Sequence, residues 1–120
     1  MSDPVRYVVL RHEGVAEPHF DLMVEMKPGG KLATWRTPVW PIKEATKVTS
    51  LELHRREYLT YEGPVSGDRG TVRRVDEGTC LIMRGEIWTI TLLNHPHRPT
   101  LMIAPREPGV TSTIMVLGGA

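Results

Sequence analysis

His19-Phe20-Asp21-Leu22-Met23-Val24-Glu25-Met26 is the stretch that decides how this chain folds. Successive side chains of an extended strand point to opposite faces. His19, Asp21, Met23 and Glu25 therefore share one face, and Phe20, Leu22, Val24 and Met26 share the other, which can be buried. The spacing predicts a half-buried β-strand rather than a helix.

Working outward, the same kind of short β-rich run recurs at 6–10, 31–35, 48–53, 71–75, 79–83, 87–93, 100–103 and 113–117. Turn chemistry separates the runs: Pro28-Gly29-Gly30, Gly67-Asp68-Arg69-Gly70, Asp76-Glu77-Gly78 and Arg84-Gly85-Glu86. No segment carries a sustained helical period, although 43–47 and 55–58 each suit a single helical turn. The Pro-rich segments 37–42 and 105–109 read as loops, and 118–120 as a tail. This pattern predicts an all-β fold, a small closed or partly open barrel of about eight short strands with one or two helical turns. At 120 residues the chain suits one domain, 1–120, with a single core.

Composition narrows the setting. The longest apolar runs are far too short to span a bilayer, and no basic-then-apolar leader precedes a cleavage site. The single cysteine, Cys80, permits no internal disulfide and falls in an apolar run that suits a core position. A cytoplasmic protein without a membrane partner is expected. Net charge is only +1, yet the basic side chains concentrate between Lys31 and Arg74, which suits phosphate contacts and a solvated edge equally.

Imidazole nitrogen and carboxylate oxygen are ligands for borderline-hard divalent ions such as manganese, iron or zinc. His12, His19 and Asp21 on one rigid surface would form an open three-ligand site of the kind a catalytic metal uses. Taken alone, the same residues also suit a solvated strand face on which His19 hydrogen-bonds a backbone group. Glu25, on the Asp21 face, is a candidate to orient a ligand histidine. His95 and His97 form a His-x-His that chelates metal in other settings, but the surrounding prolines favour a surface turn. Trp35, Trp40 and Trp88 suit core or barrel-end packing better than base stacking. Ser66 and Thr71 lack a base at any recognisable spacing, so serine nucleophile chemistry is unsupported.

A second group of residues follows: His54-Arg55-Arg56-Glu57-Tyr58, then Tyr61-Glu62-Gly63, then the series from Gly67 through Gly70, Val72 and Asp76 to Gly78. Together with a strand ending in Arg11-His12, the His19-Phe20-Asp21-Leu22-Met23-Val24-Glu25 run and Trp35-Arg36-Thr37-Pro38, this ordered set resembles one family. The family is the 3′-phosphoesterase domain found at the amino end of bacterial DNA ligase D and as small free-standing proteins. The likeness runs from about Arg6 to Gly78 and is weaker as far as Ala104.

The resemblance implies a manganese-dependent phosphoesterase that removes a 3′-terminal phosphate, or a terminal ribonucleotide, from nucleic-acid ends in DNA repair. Zinc or cobalt would be the other ions such a site accepts. His12, His19 and Asp21 would be the metal ligands, and His54 and Tyr58 would bind the phosphate and stabilise charge in the transition state. The chain spans the phosphoesterase module alone, so a DNA ligase or polymerase would act in trans. Without the family, His54 and Tyr58 read as a surface turn with the tyrosine packed at a barrel rim. The sequence departs from the pattern in three places. His12 and His19 are one residue further apart than usual with no Arg between them, Met23 stands where the family carries an arginine, and a further basic position is matched only loosely by Lys47. Losing a guanidinium removes a bidentate phosphate contact, leaving Arg11, Arg36 and Lys47 as the cations available to replace it. The alternatives are a non-catalytic nucleic-acid-binding barrel that keeps the scaffold and a hydrolase of a smaller phosphate ester.

Overall fold

Nine antiparallel strands, all but one joined into a closed ring, account for most of the 3–118 span described by the computed structural model. They are β1 Val5–Glu13, β2 His19–Glu25, β3 Leu32–Thr37, β4 Thr46–His54, β5 Gly63–Pro64, β6 Thr71–Met83, β7 Trp88–Leu92, β8 Thr100–Ile103 and β9 Thr111–Leu117. The order β1-β2-β3-β4-β9-β8-β7-β6 closes through pairing of β6 with β1 into an eight-stranded barrel, and β5 is an extra strand on the edge of β6. Closure leaves the ring with no open edge to aggregate. Gly119 and Ala120, part of the expected tail, lie outside the described residues.

The barrel is filled by one face of each strand. Val5, Tyr7, Val9, Leu22, Val24, Ala33, Trp35, Val48, Cys80, Ile82, Ile90, Leu92, Leu101, Ile103 and Ile114 form its core. Each fully buried aliphatic side chain there contributes about 1.5–3 kcal/mol. Cys80 is a core residue as its apolar setting suggested, and burial pushes its thiol up to about 12. Trp35 and Trp88 meet edge to face at 5.9 Å rather than offering stacking surfaces. Among the described residues no helix is long and apolar enough to cross a membrane.

A second, smaller apolar cluster lies on the opposite face of the sheet, outside the barrel. Val8 and Leu10 of β1, Met23 of β2, Leu32 of β3 and Val72 of β6 meet Leu59 there, with Tyr58 and Val65 packed alongside. The segment between β4 and β6, including a single 3-10 turn at Arg56–Leu59, thus folds back as a cover over β1, β2 and β3. The expected helical turn at 55–58 is this one; at 43–47 the chain bends and enters β4 instead.

Asp76-Glu77-Gly78, expected as a turn, lies inside β6. The nine residues of β1 pair along this strand without a break, with one irregularity where Val75 is the extra residue between the partners of Val9 and Leu10. Tertiary contacts override the local turn chemistry. The Asp76 carboxylate accepts hydrogen bonds from Trp40 Nε1 (2.9 Å) and His95 Nε2 (2.6 Å), and Asn94 fills the space that a Cβ at Gly78 would need.

Candidate metal centre

β1 and β2 form a hairpin in which His12 stands directly opposite His19. Pleat alternation puts His12, His19 and Asp21 on the outer face, the face of Leu10 and Met23, so the three sit beneath the cover and not within the barrel. One ligand atom from each of the three can be chosen so that all lie within 4.8 Å of one another. His19 and Asp21 are buried, and the His12 and His19 rings meet at 4.9 Å between centroids.

Backbone carbonyls decide which nitrogen of each ring carries a proton, because a carbonyl oxygen only accepts. His19 Nδ1 donates to Glu17 O at 2.8 Å, so in the neutral ring Nε2 presents a lone pair. That lone pair faces Asp21 Oδ1 at 3.3 Å, and neither atom has a hydrogen-bond partner or contact with solvent. His12 Nε2 donates to Arg69 O at 2.6 Å, which turns Nδ1 toward Asp21 Oδ2 at 3.7 Å. The Arg69 carbonyl reaches His12 because Gly70 adopts φ +78° and its Cα face lies against Glu13; a Cβ there would meet the Glu13 carbonyl oxygen at 2.1 Å.

Two imidazole lone pairs and a carboxylate pointing at one another repel unless a cation lies between them. Ligand atoms held about 2.0–2.2 Å from one ion stand about 3.0–3.6 Å apart, close to the spacings on either side of Asp21. The donor set and its orphaned buried atoms therefore fit a divalent ion, and the carbonyls of Glu17 and Arg69, each accepting from the far nitrogen of a ring, fix ring orientation.

A cavity of about 190 Å³ opens beside the ligands. His12, Asp21, Arg36, His54 and Tyr58 line it, bringing five of the residues singled out in the sequence to one place. Its apolar wall is Met23, Leu51, Val65 and Val72. Met23, where an arginine was expected, is buried in the outer cluster. His54 reaches the cavity after a register irregularity between β3 and β4, and its Nδ1 donates to Glu52 O at 2.8 Å. Its Nε2 is thereby the nitrogen left for chemistry. The His54 and Tyr58 rings meet edge to face at 5.5 Å.

The other candidate residues stand elsewhere. Arg11 points to the face of β1 opposite His12, stacks over the Phe20 ring at 4.7 Å and pairs with Glu13, so it is not beside the cavity. Lys47 is exposed near the start of β4 and does not line the cavity either. Glu25 orients no histidine. It accepts hydrogen bonds from Arg6 N at 2.6 Å, from Gly29 N at 3.1 Å and from Arg56 Nη1, tying the cover to the barrel. Burial alone would raise the Glu25 carboxyl, but these three donors outweigh it and hold it below its ordinary value. His95 and His97 lie in the turn that the prolines suggest, a bend over 93–97 in which Arg98 N donates to His95 O at 3.1 Å, and His95 Nε2 also donates to Asp76 at the barrel end. Arg69 also lines the cavity; its one signal in the sequence is the Gly67-Asp68-Arg69-Gly70 turn, a pattern that speaks for conformation and not for a site.

No protein-family model and no curated protein matches the chain.

Proposed function

We propose that this protein is a manganese-dependent phosphoesterase that removes 3′-terminal phosphate, or a terminal ribonucleotide, from nucleic-acid ends during DNA repair. The observation that carries this is the facing pair of orphaned buried atoms, His19 Nε2 and Asp21 Oδ1, at the edge of a cavity holding basic and hydroxyl groups. His12, His19 and Asp21 would hold the ion, with zinc or cobalt as other occupants. When bound, a divalent ion polarises a phosphoryl oxygen.

The chain's own groups would supply the rest. Arg36 and Arg69 bring positive charge to the cavity in place of the guanidinium that Met23 lacks. As a solvent water forms the new bond to phosphorus and the bond to the nucleic-acid oxygen breaks, the Tyr58 hydroxyl donates to an equatorial oxygen and His54, protonated at Nε2, donates that proton to the leaving oxygen. The apolar wall of Met23, Leu51, Val65 and Val72 lowers the local dielectric, which strengthens each of these interactions. Partner enzymes such as a DNA ligase or polymerase would act in trans, in the cytoplasm. The buried Met23 favours one second reading, a barrel that binds nucleic-acid ends without turnover.

Incubation of a 3′-phosphorylated oligonucleotide with the protein and manganese separates these. Phosphate release that stops with chelator and with His19→Ala supports the enzyme. Tight binding without release supports the second reading, and release that persists in His19→Ala overturns both the metal site and the proposed reaction.

A further inference from the structure

A second cavity, of about 230 Å³, adjoins the first and shares Tyr58 and Val65 with it. It is built from the cover alone. Tyr61 and Pro64 present flat apolar surfaces, while Arg55, Glu57 and Ser66 supply polar groups. The Tyr61 ring is braced at both ends. Its hydroxyl donates to the Pro64 carbonyl, and its ring meets that of Tyr58 in a T-shaped contact at 6.0 Å between centroids. Tyr61 nevertheless stays 38% exposed, so an aromatic surface is held rigid and open to a ligand.

Charge differs between the two cavities. The first is lined by Arg36 and Arg69, whereas the second carries the Arg55–Glu57 pair, Nε to Oε2 at 3.4 Å, which offers no net positive charge. Arg69 marks the junction, donating to Ser66 O at 2.7 Å and to Ser66 Oγ at 3.1 Å. A ligand spanning both cavities therefore has its anionic end beside the metal ligands and an uncharged, flat, hydrogen-bonding part beside Tyr61. That is the chemistry of a nucleoside carrying a terminal phosphate.

We infer that the second cavity is a nucleoside subsite, in which the base of the 3′-terminal nucleotide stacks on Tyr61 while the Arg55–Glu57 pair and Ser66 meet the sugar and base edges. This rests on the phosphoesterase reading and extends it, because it makes the substrate a nucleotide end rather than a small phosphate ester. Base–aromatic stacking of about 1–3 kcal/mol per base corresponds to a 5- to 150-fold change in affinity and is tolerant of sequence.

The test compares two probes in manganese, inorganic phosphate and a short 3′-phosphorylated oligonucleotide, each titrated into the full chain. Tyr61→Ala is expected to weaken the oligonucleotide 5- to 150-fold and leave phosphate unchanged. Tyr61→Leu, which keeps apolar bulk and guards against a folding defect, should behave like the alanine variant. Tyr61→Trp, which keeps a stacking face without the hydroxyl, should restore binding to within about threefold. Wild-type protein that binds both probes, with Tyr61→Ala and Tyr61→Leu binding the oligonucleotide equally well, overturns the subsite alone. Wild-type protein that binds neither probe overturns the phosphoesterase reading and the subsite with it.

Discussion

His19 Nε2 and Asp21 Oδ1 face each other at 3.3 Å, both shut off from solvent and neither hydrogen-bonded. A carbonyl acceptor at Nδ1 leaves the facing nitrogen with a lone pair, so the contact is repulsive in the metal-free neutral state. Asparagine at position 21 can turn its amide N–H toward that nitrogen. In chelator, Asp21→Asn is expected to raise stability by about 1 kcal/mol, which thermal denaturation would read as a midpoint about 4 °C higher. A lower midpoint would mean that a protonated His19 pairs with the aspartate and that no cation is needed.

Gly70 holds the other imidazole in place. Its φ of +78° and the 2.1 Å approach of a Cβ to the Glu13 carbonyl oxygen leave no room for a side chain. Gly70→Ala should cost about 1–3 kcal/mol and pull the Arg69 carbonyl from His12. Because it alters ring orientation, manganese affinity should fall about 10- to 100-fold. Denaturant melts and metal titrations of the folded variant check the two effects separately.

His54 and Tyr58 line the cavity on the side of the cover and are not among the metal ligands. His54→Ala and Tyr58→Phe should each lower turnover of a 3′-phosphorylated oligonucleotide by about 10²–10⁴-fold, with manganese affinity unchanged. Equal loss of metal binding in either variant would make the residue a part of the scaffold instead.

Glu25 ties the cover to the barrel, and its carboxyl is held below the ordinary value of 4.5. A group depressed in the folded state contributes stability that is complete above its unfolded value and is lost as pH falls through the folded one. Wild-type stability should therefore decline below about pH 4.5, and Glu25→Gln should flatten that decline. At neutral pH the substitution should cost about 1.5–3 kcal/mol, read by urea unfolding across a pH series. An unchanged acid slope would remove Glu25 from this role.

Alternation in the run from Phe20 to Met26 was enough to place a strand and to sort its faces, and the short turn-bounded runs were enough for a barrel. The same alternation separates Arg11 from His12, because neighbours on a strand point apart, so their placement on opposite faces is contained in the spacing. The face of Phe20, Leu22, Val24 and Met26 is the one turned to the barrel interior, as alternation indicates; the covering of the opposite face was not legible, because Leu59 and Val65 come from a distant segment to close over Met23 and Val72. Asp76 and His95 lie 19 residues apart and each sits in a local turn pattern; the turn forms at 93–97, whereas Asp76 lies within β6, where long-range pairing with β1 and the His95 contact override the local signal. Arg69 reached the cavity through a carbonyl–imidazole contact across 57 residues, which no local signal announces.

Calorimetric titration of manganese into chelator-treated protein tests the metal centre most directly. One ion per chain is expected for the wild type, with binding abolished by His19→Ala and by Asp21→Asn. Absence of binding in the wild type, or binding that both substitutions leave intact, would contradict the site.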